Sequence, residues 1–164
     1  MTRIGVLSDT HGYLHPRVSA FFSSCDLIIH AGDIGSEEVI EKLAALKPLK
    51  AVYGNIDGGK LRIMFREVEF FQVEDVKILL THIGGYPPKY NPKAKQLIRK
   101  YQPDIFIAGH SHILKVMYDQ INELLYINPG AAGKSGFHKN ITFLRFVIDG
   151  KEIKDLEVFD VKRS

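Results

Sequence analysis

Ile105-Phe106-Ile107-Ala108-Gly109-His110-Ser111-His112 is the stretch on which the reading of this chain turns. Four apolar residues closed by a glycine read as a short buried strand with a sharp exit. Residues at i and i+2 of an extended segment point to the same side, so His110 and His112 are placed to aim together into one site. Imidazole is the commonest metal-binding side chain. A pair of them at a strand end calls for further ligands from elsewhere in the chain.

Toward the N-terminus the same pattern recurs. Arg3 to Ser8, apolar and β-branched, leads into Asp9-Thr10-His11-Gly12, where Asp9 and His11 are again two apart. Leu27 to His30 runs into Ala31-Gly32-Asp33, and Leu49 to Tyr53 into Gly54-Asn55-Ile56-Asp57-Gly58-Gly59. Arg66 to Val73 and Val76 to Thr81 read as a β-hairpin about Glu74-Asp75 that delivers His82, followed by an irregular loop over Gly84 to Pro88. Between these strands lie helical spacings. His15 to Ser24 carries Val18, Phe21 and Phe22, with Pro16 in its first turn. A second helix is capped by Ser36, has Glu37 and Glu38 in its first turn, and presents Val39, Ile40, Leu43 and Leu46 on one stripe before Pro48. Asn91 to Tyr101 is a basic helix. Strands alternating with helices imply parallel βαβ units, whose ligand sites gather at the carboxyl ends of the strands. Beyond His112 the reading becomes all-β, with strands at Leu114 to Tyr118, Leu124 to Ile127, Ile141 to Ile148 and Ile153 to Phe159.

Composition narrows the class. A chain of 164 residues, 45% hydrophobic and 25% charged, is expected to form one domain, 1–164, with an ordinary globular core. A net charge of +3 suits an anionic substrate but includes no basic tract announcing nucleic acid. The Asn91–Tyr101 helix reads as a solvated face, because it lacks aromatics interleaved for base stacking. The single cysteine, Cys25, excludes an internal disulfide, suits a reducing compartment and reads as a buried structural thiol. No run approaches the ~20 apolar residues of a membrane span, and a strand begins within three residues of the N-terminus, so the expectation is a cytoplasmic protein without a membrane partner. Phe65, Phe70, Phe71 and Tyr86 are candidates for a homo-oligomer contact, although burial is the commoner fate of such residues.

Asp9, His11, Asp33, Asn55, His82, His110 and His112 thus stand at successive strand ends. Mixed nitrogen and oxygen ligation suits Mn, Fe, Zn, Co or Ni better than Ca or Mg. Seven ligands exceed the four typical of one zinc ion and suit two divalent transition-metal ions sharing a bridging carboxylate. Two ions about 3.5–4 Å apart polarise a phosphoryl group and lower the pKa of a bridging water. No side-chain nucleophile in a triad-like context is evident. His30, inside a strand, reads as a hydrogen-bonded core histidine that orients its neighbours. His15 reads as a solvated helix-start residue, its other reading being a contact to substrate near the metal rim, and His138, in a loop with Lys134 and Lys139, is left without a role. Asn128 to Ser135 (NPGAAGKS) is not a P-loop, since Asn128 stands where glycine is required and the strand Ile141-Thr142-Phe143 follows in place of a helix.

The ordered set D-x-H, G-D, G-N, a lone histidine after an apolar strand, and G-H-S-H resembles the calcineurin-like metallophosphoesterases. The short length and Ile127-Asn128-Pro129-Gly130 are most similar to that superfamily's small single-domain phosphodiesterase branch. The resemblance implies a four-layer α/β/β/α sandwich of two mixed sheets flanked by helices. It implies that Asp9, His11, Asp33 and His112 hold one metal, with Asp33 bridging, and that Asn55, His82 and His110 complete the second. The activity implied is a dinuclear phosphoesterase, most like a phosphodiesterase, in which a metal-bridging hydroxide attacks the ester. Many relatives follow Gly-Asn with a histidine that helps protonate the leaving group, whereas here Ile56 follows. General acid catalysis contributes ~10²–10⁴-fold, so its loss favours phosphodiesters or activated esters. Asp57 is the candidate substitute, its other reading being a turn residue that binds backbone. The alternative function is a non-catalytic protein-binding scaffold on the same fold, since the retromer scaffold subunit also carries an Ile-Asn-Pro-Gly stretch. Such scaffolds lose ligands, and this chain keeps a full set.

Overall fold

Ile78 and Leu80 face one side of their strand and Leu79 the other, and all three are fully buried. Ile105, Phe106 and Ile107 repeat the pattern. Period-2 alternation with both faces apolar means a sheet covered on both sides, and the computed structural model of residues 1–164 is built that way. In chain order the elements are β1 (Thr2–Leu7), α1 (Val18–Phe21), β2 (Leu27–His30), α2 (Glu37–Leu46), β3 (Leu49–Ala51), α3 (Gly59–Met64), β4 (Val68–Val73) and β5 (Val76–Thr81). There follow β6 (Gly85–Tyr86), β7 (Lys89–Tyr90), α4 (Pro92–Tyr101), β8 (Ile105–Ile107), β9 (Leu114–Asp119), β10 (Leu124–Pro129), β11 (Asn140–Asp149) and β12 (Glu152–Lys162).

Two five-stranded sheets run in the orders β12-β11-β1-β2-β3 and β4-β5-β8-β10-β9. In each, three neighbouring strands are parallel and the remaining pairings antiparallel: β1, β2 and β3 in the first, β5, β8 and β10 in the second. Ile4, Val6 and Ile29 from one sheet pack with Ile78, Leu80, Ile105 and Ile127 from the other in a shared core. The outer face of the first sheet (Leu7, Ile28, Phe143) is covered by α1, α2 and α3 through Val18, Leu43 and Leu61. The outer face of the second (Leu79, Phe106, Tyr126) is covered by α4 through Ala94 and Ile98. The four-layer α/β/β/α arrangement of two mixed sheets is therefore realised, and it stacks both parallel triplets so that their carboxyl ends share one edge.

The structure departs from the sequence expectation in its helices. The helix expected over His15–Ser24 is a single turn, because Asp26 already joins β1, its carboxylate accepting from the Arg3 amide at 2.8 Å. α3 escaped notice because it starts on Gly58-Gly59 and buries only Leu61, leaving no apolar stripe to read. Ser36 occupies the N-cap position of α2 in extended conformation, yet its hydroxyl makes no capping bond. Asn91 does cap α4, its side-chain oxygen accepting from Ala94 N at 2.8 Å. The loop after Gly84 contains the β6–β7 ribbon. Of the aromatics considered for an oligomer contact, Phe65, Phe70 and Phe71 pack against the three cores and Tyr86 remains exposed. Cys25 is buried beneath α1, and burial pushes its thiol up. No helix is long and apolar enough to cross a membrane.

Candidate metal centre

The loops leaving β1, β2, β3, β5 and β8 bring Asp9 and His11, Asp33, Asn55, His82, and His110 with His112 to the shared edge of the sandwich. Backbone bonds lock these loops together. Asp9 N, His11 N and Gly12 N donate to Gly32 O, Asp33 O and Ile34 O at 2.9, 3.0 and 2.8 Å, so the first two loops run side by side. Gly109 N donates to His82 O at 2.9 Å. Five of the residues adopt left-handed backbone: Asp9 (φ 54°), His11 (46°), Asp33 (55°), His110 (70°) and His112 (63°). Such a conformation costs a non-glycine residue about 1–2 kcal/mol, and its concentration at one edge marks a site whose geometry the surrounding fold imposes.

Each side chain is also aimed. Asp9 Oδ2 accepts from Ser8 Oγ at 2.7 Å and from His110 N at 3.1 Å, leaving Oδ1 free. Asp33 Oδ1 accepts from Ile56 N at 3.0 Å, and Oδ2 turns inward to 3.2 Å from His82 Nε2 and 3.5 Å from His11 Nε2. His82 Nδ1 donates to Ala31 O at 2.8 Å, which leaves Nε2 with a bare lone pair. His112 Nε2 lies 3.2 Å from Asp9 Oδ1, and His110 Nδ1 lies 3.1 Å from Asn55 Oδ1. Asp9, His11 and His112 form one cluster, and Asp33, His82 and His110 a second, each with its donor atoms within 4.8 Å of one another. Ligands about 2.0–2.2 Å from an ion stand roughly 3–4 Å from each other. Asp9 Oδ1, His11 Nε2 and His82 Nε2 are buried without any hydrogen-bond partner. An orphaned buried polar atom costs about 1–3 kcal/mol. Three of them facing one space fit divalent cations of the transition series. Ionisation agrees with that fit. Burial pushes Asp9 up, but the facing imidazoles of His11, His112 and His82, with the Ser8 hydroxyl, outweigh it and hold the carboxyl well below its usual range. Burial likewise opposes ionisation of Asp33, and His82 with Ile56 N prevails, lowering it.

Three residues outside the ligand set complete the centre. Asp57 is buried, and its carboxylate accepts from Gly54 N, Gly35 N and Ile34 N at 2.8, 2.9 and 3.0 Å. Both oxygens are occupied by backbone, so Asp57 straps the β2 and β3 loops together; the leaving-group acid considered for it from the sequence has no free oxygen to act through. Asn128, at the end of β10, donates to Gly109 O and Ser111 Oγ at 3.0 Å each and holds the His110 loop. His138 is the residue the sequence reading left without a role. Its Nε2 donates to Gly133 O at 2.7 Å, which leaves Nδ1 to accept from His112 Nδ1 at 3.1 Å. That relay fixes the tautomer presenting His112 Nε2 to the centre. Outer partners of metal-bound histidines are typically worth 10–100-fold in affinity. His138→Phe is accordingly expected to weaken Mn binding by about that factor in a chelator competition, and an unchanged affinity would remove the relay.

His30 is fully buried and neutral. Gly32 N donates to its Nδ1 at 3.1 Å, and its Nε2 donates to Thr10 Oγ1 at 3.0 Å, whose hydroxyl donates to Ile34 O at 2.7 Å. Burial pushes its pKa down from 6.5 to about 4. The unfolded chain takes a proton near 6.5 that the folded chain refuses, so this contribution to stability is intact above that pH. It is lost as the pH falls toward 4, by up to about 3 kcal/mol. Urea unfolding at pH 7 and pH 4.5 should show the gap between the wild type and His30→Asn narrowing at the lower pH; a constant gap would contradict a buried neutral imidazole. His15 instead packs its ring against Phe143 and Phe159 at centroid distances of 6.2 and 5.3 Å.

The model of the calcineurin-like phosphoesterase superfamily domain matches residues 2–151. A probable metallophosphoesterase of Methanocaldococcus jannaschii is 35% identical over 134 residues, covering 78% of this chain and 67% of that protein. Among solved structures, a novel archaeal phosphodiesterase superposes with a TM-score of 0.73 at 24% identity, over 96% of this chain and 99% of that one. Wild-type Vps29 complexed with zinc, from Entamoeba histolytica, gives 0.75 at 20% identity over 99% of each chain.

Proposed function

We propose, on the premise that this chain belongs to the calcineurin-like phosphoesterase superfamily, that it is a metal-dependent phosphodiesterase. The observation that carries this reading is the set of buried donor atoms without partners, Asp9 Oδ1, His11 Nε2 and His82 Nε2, aimed into one space. Asp9, His11 and His112 would hold one divalent transition-metal ion and Asn55, His82 and His110 a second, with Asp33 Oδ2 in reach of both sets. Two such ions supply an acidified water and neutralise charge building on a phosphoryl group. The chain's own part is to hold and orient. Ala31 O fixes the His82 ring, His138 fixes His112, and the Ile56 amide turns the Asp33 carboxylate. The Ile56 side chain has no acidic proton to give, and Asp57 is engaged with backbone, so an ester whose leaving oxygen departs without help is the favoured substrate.

The test is hydrolysis of bis-p-nitrophenyl phosphate by protein loaded with Mn or Ni, together with the number of ions bound per chain. Two ions and turnover well above that of His110→Asn are expected. Turnover no greater than the variant's would overturn the reading. A second reading, a protein-binding scaffold on the same fold, is favoured by exposed apolar residues around the centre: Ile56, Ile113 and the fully exposed Phe137. Fewer than two ions per chain would move the balance to it.

A further inference from the structure

A cavity of about 320 Å³ opens beside the candidate metal centre and shares Asn55 and His82 with it. Its walls come from elements distant in sequence: Tyr53 after β3, Val68 at the start of β4, Ile83 after β5 and Leu97 on α4. The charged groups at its edge are unequal. Lys93 is neutralised by Glu67 at 2.6 Å. The Arg62 guanidinium lies over the Tyr53 ring, 4.5 Å from its centroid, and its Nε donates to Asp57 O, which leaves the remaining guanidinium N–H groups without a protein partner. The exposed surface of the chamber is therefore mostly apolar, although Thr81 and Asn91 also line it, with the Arg62–Tyr53 stack as one wall and one fixed cation, and it lies within the size range of small-molecule sites. About 150 Å³ suffices for a benzene-sized ring, so the volume admits an aromatic group with substituents.

Resting on the phosphodiesterase reading above, we infer that this cavity receives the retained ester group of the substrate, and that this group is flat and aromatic. In the reaction, water adds to phosphorus, the bond from phosphorus to the leaving oxygen breaks, and that oxygen departs with the electron pair. The water's proton passes to solvent, and the product monoester keeps the group lodged beside Tyr53 and Leu97. Selectivity then comes from the retained side, while Ile56 sets the demand for a good leaving group on the other.

Phenyl p-nitrophenyl phosphate and ethyl p-nitrophenyl phosphate share a leaving group and differ only in the retained one. The wild-type protein loaded with Mn should hydrolyse the phenyl ester with kcat/KM about tenfold higher, mainly through KM. Leu97→Trp, which fills the cavity from α4, should bring the ratio close to one, and Val68→Phe should do the same from the start of β4 should the first variant fail to fold. Calorimetry adds a readout independent of turnover, with phenylphosphonate expected to bind the loaded protein about tenfold more tightly than ethylphosphonate. Hydrolysis of both esters at a ratio near one, or a ratio that survives both substitutions, overturns the subsite and leaves the phosphodiesterase intact. Hydrolysis of neither overturns that underlying reading, and equal binding of the two phosphonates then disposes of the subsite as well.

Discussion

Asp33→Asn should lower kcat/KM for bis-p-nitrophenyl phosphate by about 10³-fold or more, equivalent to ~4 kcal/mol of lost transition-state stabilisation. The inner oxygen of Asp33 approaches a histidine from each cluster, His11 at 3.5 Å and His82 at 3.2 Å, and lies closer to the second cluster than Asp9 Oδ1, which stands 3.8 Å from His82. Asparagine keeps the shape and the oxygen that accepts from Ile56 N, so the loop stays in place while the shared negative charge goes. Each ion would then see one anionic ligand fewer. Metal analysis alongside kinetics separates the causes: the variant should retain at most one ion per chain. If two ions remain and turnover stays within tenfold of wild type, Asp33 does not join the two halves of the centre.

Gly54→Ala should be nearly as damaging, although residue 54 offers no ligand atom. A Cβ there would run into the Asp33 carboxylate and the Asp33 amide, both parts of a loop that Asp57 already straps from the other side. Overpacking of this kind costs about 1–3 kcal/mol, and both the carboxylate and the backbone of Asp33 must shift to relieve it. Lower stability and loss of one ion are therefore expected together. Gly58→Ala is the matched control, because its Cβ would meet nothing within 4 Å; a surface change of that kind stays within about 0.5 kcal/mol. Equal unfolding midpoints and equal metal content for the two variants would show that the close approach at Gly54 carries no weight.

The candidate centre was legible because its parts are local. Each ligand follows an apolar run within a few residues, and a parallel sheet turns such runs into a common edge, so Asp9, His82 and His110 announce themselves without knowledge of the tertiary structure. What remained hidden depends on pairings across the chain. Asp57 looks like a turn residue, and only the folded chain reveals that it also serves Ile34 and Gly35, 23 and 22 residues earlier. His138 has no strand before it and no motif around it, and its meaning comes from His112, 26 residues away. The His15–Ser24 helix was overread for a related reason, since apolar spacing reports which residues are buried and not where the chain must turn back.

The left-handed residues at this edge make alanine a poor probe of the site. An alanine at position 9, 11, 33, 110 or 112 deletes a donor atom and must also occupy a backbone region that its methyl group disfavours. Any assay of that variant sums two defects. Glycine enters the region freely, so a matched Gly and Ala pair at each of these positions gives the coordination loss from the Gly variant and the conformational penalty from the difference between the two.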